Sequence, residues 1–326
     1  MKKISIITPS FNQGQFIEQT IDSVLSQNYN NLEYIIIDGG SKDNSVEIIK
    51  KYQKYLHYWV SEKDNGQSDA INKGLKLATG DIFNWLNSDD YYEPSTFKKI
   101  NEYFTPDDVL VVSGRNNILK DNLIVRISSG LYLYNSLEKT IGNAKIDQPG
   151  TFFRKDAIDK MGLLNPSLHF IMDREWWIRY LLLFGLNGIK KVDDVFVNFR
   201  IHDNSKTHNF QKSFVREGLN VYYTIAHIYN IPEALQFERH FEVSLIADII
   251  KLTNIPTPIV RKSLHYFWLH QGNISYAHDD YKTAALFLSL INVEFLQKED
   301  AQLYFSLKNR IKFLPPFLKK LINRIR

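Results

Sequence analysis

An α/β domain built on a mostly parallel sheet with helices on both faces, extended by an all-helical C-terminal region, is the fold that the 326-residue sequence predicts. Short β-rich runs alternate with helical periodicities from residue 4 to residue 115, the pattern of a chain that passes repeatedly from strand to helix to parallel strand. Polar and turn residues gather directly after each strand-like run. From about residue 210 the pattern changes to longer helical periodicities with few turn signals. The expected organisation is therefore an α/β domain over 1–210 and a helical region over 211–326.

The elements follow in order. Ile4, Ser5, Ile6 and Ile7 read as the first strand, Ile17, Ile21, Val24 and Leu25 recur at helical spacing, and residues 32–37 return as an apolar strand. A helix over 46–55, a strand over 58–60, a helix over 69–78 and a strand over 81–86 complete the alternation. Sheets of this kind bind ligands beyond the carboxyl ends of their strands. Those positions read Thr8-Pro9-Ser10-Phe11-Asn12, Asp38-Gly39-Gly40-Ser41, Ser61-Glu62-Lys63-Asp64 and Asn87-Ser88-Asp89-Asp90. In the second region, helices are expected over 233–251, 258–270 and 279–296, with a helical hairpin around 272–290.

Composition narrows the function classes. Apolar residues at 44% and aromatics at 13% are enough for a packed core. The absence of cysteine excludes a disulfide framework, a thiolate nucleophile and Cys-ligated zinc, and makes the cytoplasm the default location. The basic, then apolar start is too short for a signal-peptide core. The longest apolar runs, 180–186 and 284–291, fall short of the roughly 20 residues that a spanning helix needs. Net charge is only +4, yet no acidic residue follows Asp300, whereas seven Lys and Arg do. Residues 307–326 alternate apolar and basic side chains, so this tail either makes peripheral contact with the anionic inner face of the cell membrane or docks on its own domain. No basic stripe runs along the main domain, which argues against a nucleic-acid partner.

Adjacent carboxylates after the apolar run 82–86 suit a hard cation, because Mg²⁺ or Mn²⁺ takes one or two carboxylates together with phosphate oxygens and water. The string Ser88-Asp89-Asp90 is equally common as a helix or turn cap. Asp38 closes a strand before two glycines that let a ligand approach the backbone, and its carboxylate could accept the N3 hydrogen of uracil or thymine. A βα turn capped by Ser41 or Asp43 accounts for the same loop, apart from Asp38 itself. Residues 62–74 form a dense polar loop in which Lys63 and Lys73 either neutralise a diphosphate or are simply solvated.

Taken together, Ile6-Ile7-Thr8-Pro9-Ser10-Phe11-Asn12, Ser23-Val24-Leu25-Ser26-Gln27, Asp38-Gly39-Gly40-Ser41-Lys42-Asp43 and Leu86-Asn87-Ser88-Asp89-Asp90 resemble glycosyltransferase family 2, in matching order and spacing over residues 4–94. The resemblance implies the GT-A fold and an inverting transfer from a nucleoside diphosphate sugar, UDP- or dTDP-linked, to a hydroxyl of a glycan or lipid-linked glycan, in bacterial-type surface polysaccharide synthesis. It implies that Thr8, Pro9 and Asp38 hold the nucleoside, with Ser10, Asn12, Gly39, Asp64, Asn72, Lys73, Asn87 and Ser88 as further donor-binding candidates. Asn87-Ser88-Asp89 corresponds to the metal-binding DXD element; its first position is Asn, so Mn²⁺ or Mg²⁺ falls to Asp89 or Asp90.

Gln148-Pro149-Gly150-Thr151-Phe152-Phe153-Arg154 and Met172-Asp173-Arg174-Glu175-Trp176-Trp177 resemble the acceptor-side segment of the family, where an acid serves as base. The family pair Glu-Asp appears here as Met172-Asp173, which makes Asp173 the expected base with Glu175 in reserve; acids opening a helix whose tryptophans pack inward explain the string equally well. Arg200-Ile201-His202 and the residues to Thr207 resemble the closing segment in which a basic residue returns to the metal and diphosphate, which assigns His202 to the metal unless it is structural. Two other functions compete. A sugar nucleotidyltransferase would need a basic Gly-rich loop after the first strand, which residues 8–14 lack, and an inactive nucleotide- or sugar-binding scaffold would account for Asn87 and Met172.

Overall fold

The computed structural model describes residues 1–202, 210–249, 252 and 255–313. Its contacts divide the chain into two units, residues 1–133 with 145–217, and residues 134–144 with 218–326.

The first unit grows outward from β1 (Ile4–Ser10), all seven residues of which are buried. β1 pairs in parallel with β2 (Leu32–Asp38) on one side and with β4 (Ile82–Trp85) on the other, and β3 (Tyr58–Ser61) adds in parallel to β2. Period-2 alternation sends the side chains of β1 to opposite faces. Ile4 and Ile6 join a core with Ile17, Ile21 and Val24 of α1 (Ile17–Leu25) and with Ile48 and Ile49 of α2 (Ser45–Tyr52). Ile7 points the other way, onto α3 (Gln67–Leu77), where a Cβ on Gly74 would come within 2.6 Å of it. Only glycine lets this helix lie so close to the sheet. Helices on both faces and four parallel strands are the expected arrangement for residues 4–85.

Beyond β4 the sheet becomes mixed. β5 (Tyr91–Tyr92) and α4 (Thr96–Tyr103) precede the hairpin of β6 (Val111–Lys120) and β7 (Leu123–Ile127). β8 (Thr151–Arg154) runs antiparallel to β4 and to β6, and the long β9 (Ile189–Ile201) runs parallel to β6 and antiparallel to β5. The resulting path is β3-β2-β1-β4-β8-β6-β9-β5, with β7 on β6. Helices α6 (Lys155–Met161) and α7 (Met172–Phe184) follow β8. Trp176 and Trp177 of α7 are fully buried, and Trp176 packs against Phe83, Trp85 and Phe153.

The second unit is helical: α5 (Leu137–Asn143), the later part of α8 (Gln211–Ile228), α9 (Ala234–His240), α10 (Thr257–Ala277), α11 (Tyr281–Ser289) and α12 (Lys298–Phe313). α5 reaches α10 through Gly142, whose Cβ would fall 2.5 Å from that of Tyr266. Tyr222 stacks on Phe267 at 3.9 Å and donates to the Ile141 carbonyl. α10 and α11 form the expected hairpin, with Gly272 against Leu288. The helix expected over 233–251 stops at His240, because Ser244 N–H and Ile246 N–H donate to Asn220 Oδ1 and Thr224 Oγ1 on α8, holding the chain extended. No helix among the described residues is long and apolar enough to cross a membrane. Of the expected basic tail, residues 314–326 lie outside the described residues.

The N-terminal edge of the sheet is tied together by one acid. Glu33 is fully buried and accepts from Lys3 Nζ, Ser5 Oγ, Thr79 N–H and Thr79 Oγ1 at 2.5 to 2.8 Å. Burial alone would raise its pKa, but these hydrogen bonds outweigh it and bring the group down from 4.5 to about 2. A depressed carboxyl stabilises the fold above its unfolded value and loses that contribution as pH falls through its folded one. Stability should therefore drop between pH 4.5 and about 2. Glu33→Gln should lower Tm at neutral pH and flatten this acid slope; a slope unchanged from wild type, followed by thermal melts across that range, would remove Glu33 from this role.

Candidate active site

A cavity of about 1000 Å³ opens at the carboxyl ends of the parallel strands, within the first unit. Its wall takes Pro9 and Ser10 from β1, Gly39 from the loop after β2, Asp64 from the loop after β3, and Asn87, Ser88 and Asp89 from the loop after β4. Asp173 of α7 lines it as well. The register explains the convergence. Ser10 pairs with Asp38, and Asp38 with Ser61, so three strands end at one level.

Some of the expected donor residues build the wall rather than face the cavity. Asp38 is fully buried and accepts from Gly40 N–H, Ser41 N–H, Ser41 Oγ and Ser61 Oγ at 2.5 to 3.1 Å, so its carboxylate shapes the loop. Thr8 is enclosed against the Tyr34 hydroxyl at 3.1 Å. Asn12, with positive φ, donates its backbone N–H to Ser41 and accepts from Lys42 N–H, locking the two loops together. Asn72 turns away: it donates to Leu164 O and accepts from Leu164 N–H, joining α3 to the chain after α6. Lys73 is held by Glu62 at 2.8 Å and lies 3.8 Å from Asp69. None of these five lines the cavity.

The neighbouring acids Asp89 and Asp90 separate. Asp90 is buried, its Oδ1 accepts the Arg200 N–H at 3.0 Å, and Oδ2 has no hydrogen-bond partner. Burial, and then the charge of Asp89, push its pKa well above the usual carboxylate range. Asp89 stays on the cavity wall, with its Oδ2 3.0 Å from His202 Nε2. Thr20 fixes this loop by donating to the carbonyls of Ser88 and Asp90 at 2.9 and 2.7 Å. Arg200 braces it from β9, donating to the Asp89 carbonyl and to Gln19, with its guanidinium over the rings of Phe16 and Tyr91. His202 packs against Phe16 at 4.8 Å.

Asp173, which also lines the cavity, sits in the first turn of α7 and accepts the Arg174 N–H at 2.8 Å. Burial pushes its pKa up to about 6 against the opposing hydrogen bond and charge of Arg174, and the charge of Glu217 adds to the rise. Glu175, expected in reserve, is excluded from the cavity. It is buried in a two-point ion pair with Arg179, at 2.8 and 2.5 Å, while Arg179 also donates to the Met161 and Leu163 carbonyls. A carboxylate engaged in this way is a framework group.

Gln148, Gln67 and Gln13 line the cavity without having been among the expected site residues. Gln148 donates to Asn84 Oδ1 and the Trp85 carbonyl, fixing the floor, and Gln67 donates to Asn87 Oδ1 at 2.8 Å. Gln13 and Ser10 each present a buried side-chain oxygen with no partner on the same wall, the condition of a site built for a polar ligand. Phe170, Phe199 and Phe214 supply apolar surface. His169 comes close to Gly66, whose φ of 106° only glycine adopts without strain.

Comparison with known proteins agrees with this geometry. Residues 5–162 match the model of Glycosyl transferase family 2. An uncharacterized glycosyltransferase of Nostoc is 30% identical over 214 residues, 61% of this chain and 65% of its own, and one of Rickettsia typhi is 29% identical over 217 residues, 63% and 65%. The match thus spans just under two thirds of these relatives. Among solved structures, Staphylococcus aureus TarS 1–349 in complex with UDP superposes with TM-score 0.56 at 19% identity, covering 95% of this chain and 91% of that one. The mannosyltransferase PcManGT of Pyrobaculum calidifontis, in complex with GDP-Man and Mn²⁺, gives 0.54 at 17%, covering 97% and 82%. With its parallel half-sheet and strand-end cavity the chain has the GT-A fold, and its residues 5–162, just under half of it, match glycosyltransferase family 2.

Proposed function

We propose that this protein moves a sugar from a nucleoside diphosphate sugar to an acceptor hydroxyl with inversion, and that Asp173 is the base. The observation that carries the reading is the placement of two unlike acids on one cavity wall: Asp89, beside His202, and Asp173, pushed up to about 6. TarS was solved with UDP and PcManGT with GDP-Man and Mn²⁺, so nucleotide sugars are the donors to test first.

The donor set suits a divalent cation. One carboxylate oxygen on the cavity wall and, 3.0 Å from it, one imidazole nitrogen just behind the lining leave the remaining positions to diphosphate and water, as Mg²⁺ and Mn²⁺ favour. Asp89 and His202 would hold it, and bound there it supplies Lewis-acid stabilisation of a diphosphate leaving group. Asp90, turned to the Arg200 backbone, holds the loop. Lys42 and Lys63 on the same wall add positive charge toward a diphosphate.

Asp173 would accept the proton of the attacking hydroxyl. A carboxyl at about 6 is mostly ionised at neutral pH yet is a better proton acceptor than an ordinary aspartate. Water exclusion falls to Phe170, Phe199 and Phe214. The acceptor hydroxyl is read as that of a glycan or lipid-linked glycan in surface polysaccharide synthesis, with peripheral membrane contact through 307–326 as part of the same proposal.

Release of nucleoside diphosphate from a panel of UDP-, dTDP- and GDP-sugars, with and without Mn²⁺, tests the reading. Asp173→Asn should lose transfer by about a thousandfold, within the range that general bases contribute, while nucleotide still raises Tm; normal turnover would sink the base assignment. In the wild type, kcat/KM should rise as pH passes about 6, where Asp173 loses its proton. Asp89→Asn should abolish the response of Tm to Mn²⁺ with UDP, and an unaltered response would place the cation elsewhere. Sedimentation with anionic vesicles should distinguish the full chain from a truncation before Leu307, and equal partitioning would rule out tail-mediated contact.

A further inference from the structure

Three consecutive backbone N–H groups converge on one side chain in front of the proposed base. Glu217 Oε1 accepts from His169 at 2.8 Å, and Oε2 accepts from Phe170 at 2.7 Å and Ile171 at 2.8 Å. Ile171 is the N-cap of α7, and its carbonyl takes the Glu175 N–H at 2.9 Å, so the clasped segment continues directly into the turn that bears Asp173. The Ile171 N–H, at the start of α7, has no intrahelical partner, and those of His169 and Phe170 precede the helix, so all three need an acceptor from elsewhere. Here it comes from α8, 46 residues beyond Ile171.

We propose that Glu217 is a positioning residue: by holding the 169–171 backbone it fixes the first turn of α7 and directs the Asp173 carboxylate into the cavity. This rests on Asp173 being the base. The aromatic contacts of Phe170 with Phe210 and Phe214, at 5.5 and 5.4 Å, hold the loop against the same stretch of chain but leave its rotation open. The carboxylate, with three directional hydrogen bonds, does not. Glu217 also brings a second negative charge toward Asp173, which acts on its ionisation in the same sense as burial and against adjacent Arg174. The same cavity wall carries His169, Lys63, Asp64, Asp89 and Arg200.

The test uses the full chain and whichever donor of the panel turns over. Glu217→Gln, which keeps one acceptor oxygen and loses the charge, should lower kcat about tenfold, and Glu217→Ala about a hundredfold, the size expected of small misplacements; donor KM should change less than about twofold. The acid limb of kcat/KM, near pH 6 in the wild type, should move to lower pH in both variants, because a negative neighbour has gone. A merely structural role would lower Tm and leave that limb in place. A folded Glu217→Gln with wild-type kcat and an unmoved limb overturns the proposal. Should the variants not fold, amide exchange in the wild type decides: protection of His169, Phe170 and Ile171 is expected, and exchange at the unprotected rate overturns it. Asp173→Asn, run alongside, keeps the two ideas apart. Full turnover in that variant refutes the base, whereas its loss together with an unaffected Glu217→Gln refutes the clasp alone.

Discussion

Asp38 carries a fully enclosed carboxylate at the carboxyl edge of β2, answered by four donors from Gly40, Ser41 and Ser61. A charge in that position is tolerated only because it is fully hydrogen-bonded, and the donors in turn are committed to one backbone path. The loop after β2 is thereby closed down, with Gly40 at a φ of 81°, and Gly39 is pressed so near Asp64 that a Cβ would come within 2.7 Å of its carboxylate. One buried acid thus fixes the distance between the second and third strand-end loops. Ser41 extends the tie to the first, by accepting the Asn12 N–H at 2.7 Å. This end of the cavity, where Pro9, Ser10, Gly39, Gly40 and Ser41 meet Lys63 and Asp64, is a consequence of this knot.

The same division of labour recurs at the fourth strand end. Two adjacent carboxylates in a low-dielectric site repel each other, so a stable arrangement separates their environments. Asp90 goes inward to the Arg200 N–H, while Asp89 goes outward beside His202. Arg200 connects the two, its backbone serving Asp90 and its guanidinium the Asp89 carbonyl. β9 therefore contributes to the site chiefly by bringing residues 200 and 202 across more than a hundred positions of sequence to the loop after β4.

Residues 4–94 were legible because each strand is a short apolar run followed at once by turn residues, and the strand-end part of the candidate site lies there. β6 was not, since Ser113, Asn116 and Asn117 break its apolar pattern. Their partners are Thr151, Ser128 and Asn198 with Glu93, all distant in sequence. Asn72 and Lys73 misled for a related reason. A polar loop reads as ligand-facing until its tertiary partners are known, and here those are the Leu164 backbone and Glu62. Glu217 belongs to no motif, and only the folded chain shows the three N–H groups that it meets.

Asp173 and Glu175 show how two acids on one helix acquire different chemistry. At about 100° per residue, positions two apart point some 200° from each other, so one faces the cavity and the other the core. The core position requires a permanent partner, and Arg179, one turn on, provides it at both carboxylate oxygens. Asp173 has instead a backbone N–H and partial enclosure, enough to keep it in place but not to hold its proton affinity low. The paired acid is committed to the fold, and the incompletely answered one is left able to exchange a proton. The helix start that carries Asp173 must consequently be fixed from outside the helix, which makes the backbone clasp by Glu217 a requirement of using this position for chemistry rather than an ornament of the packing.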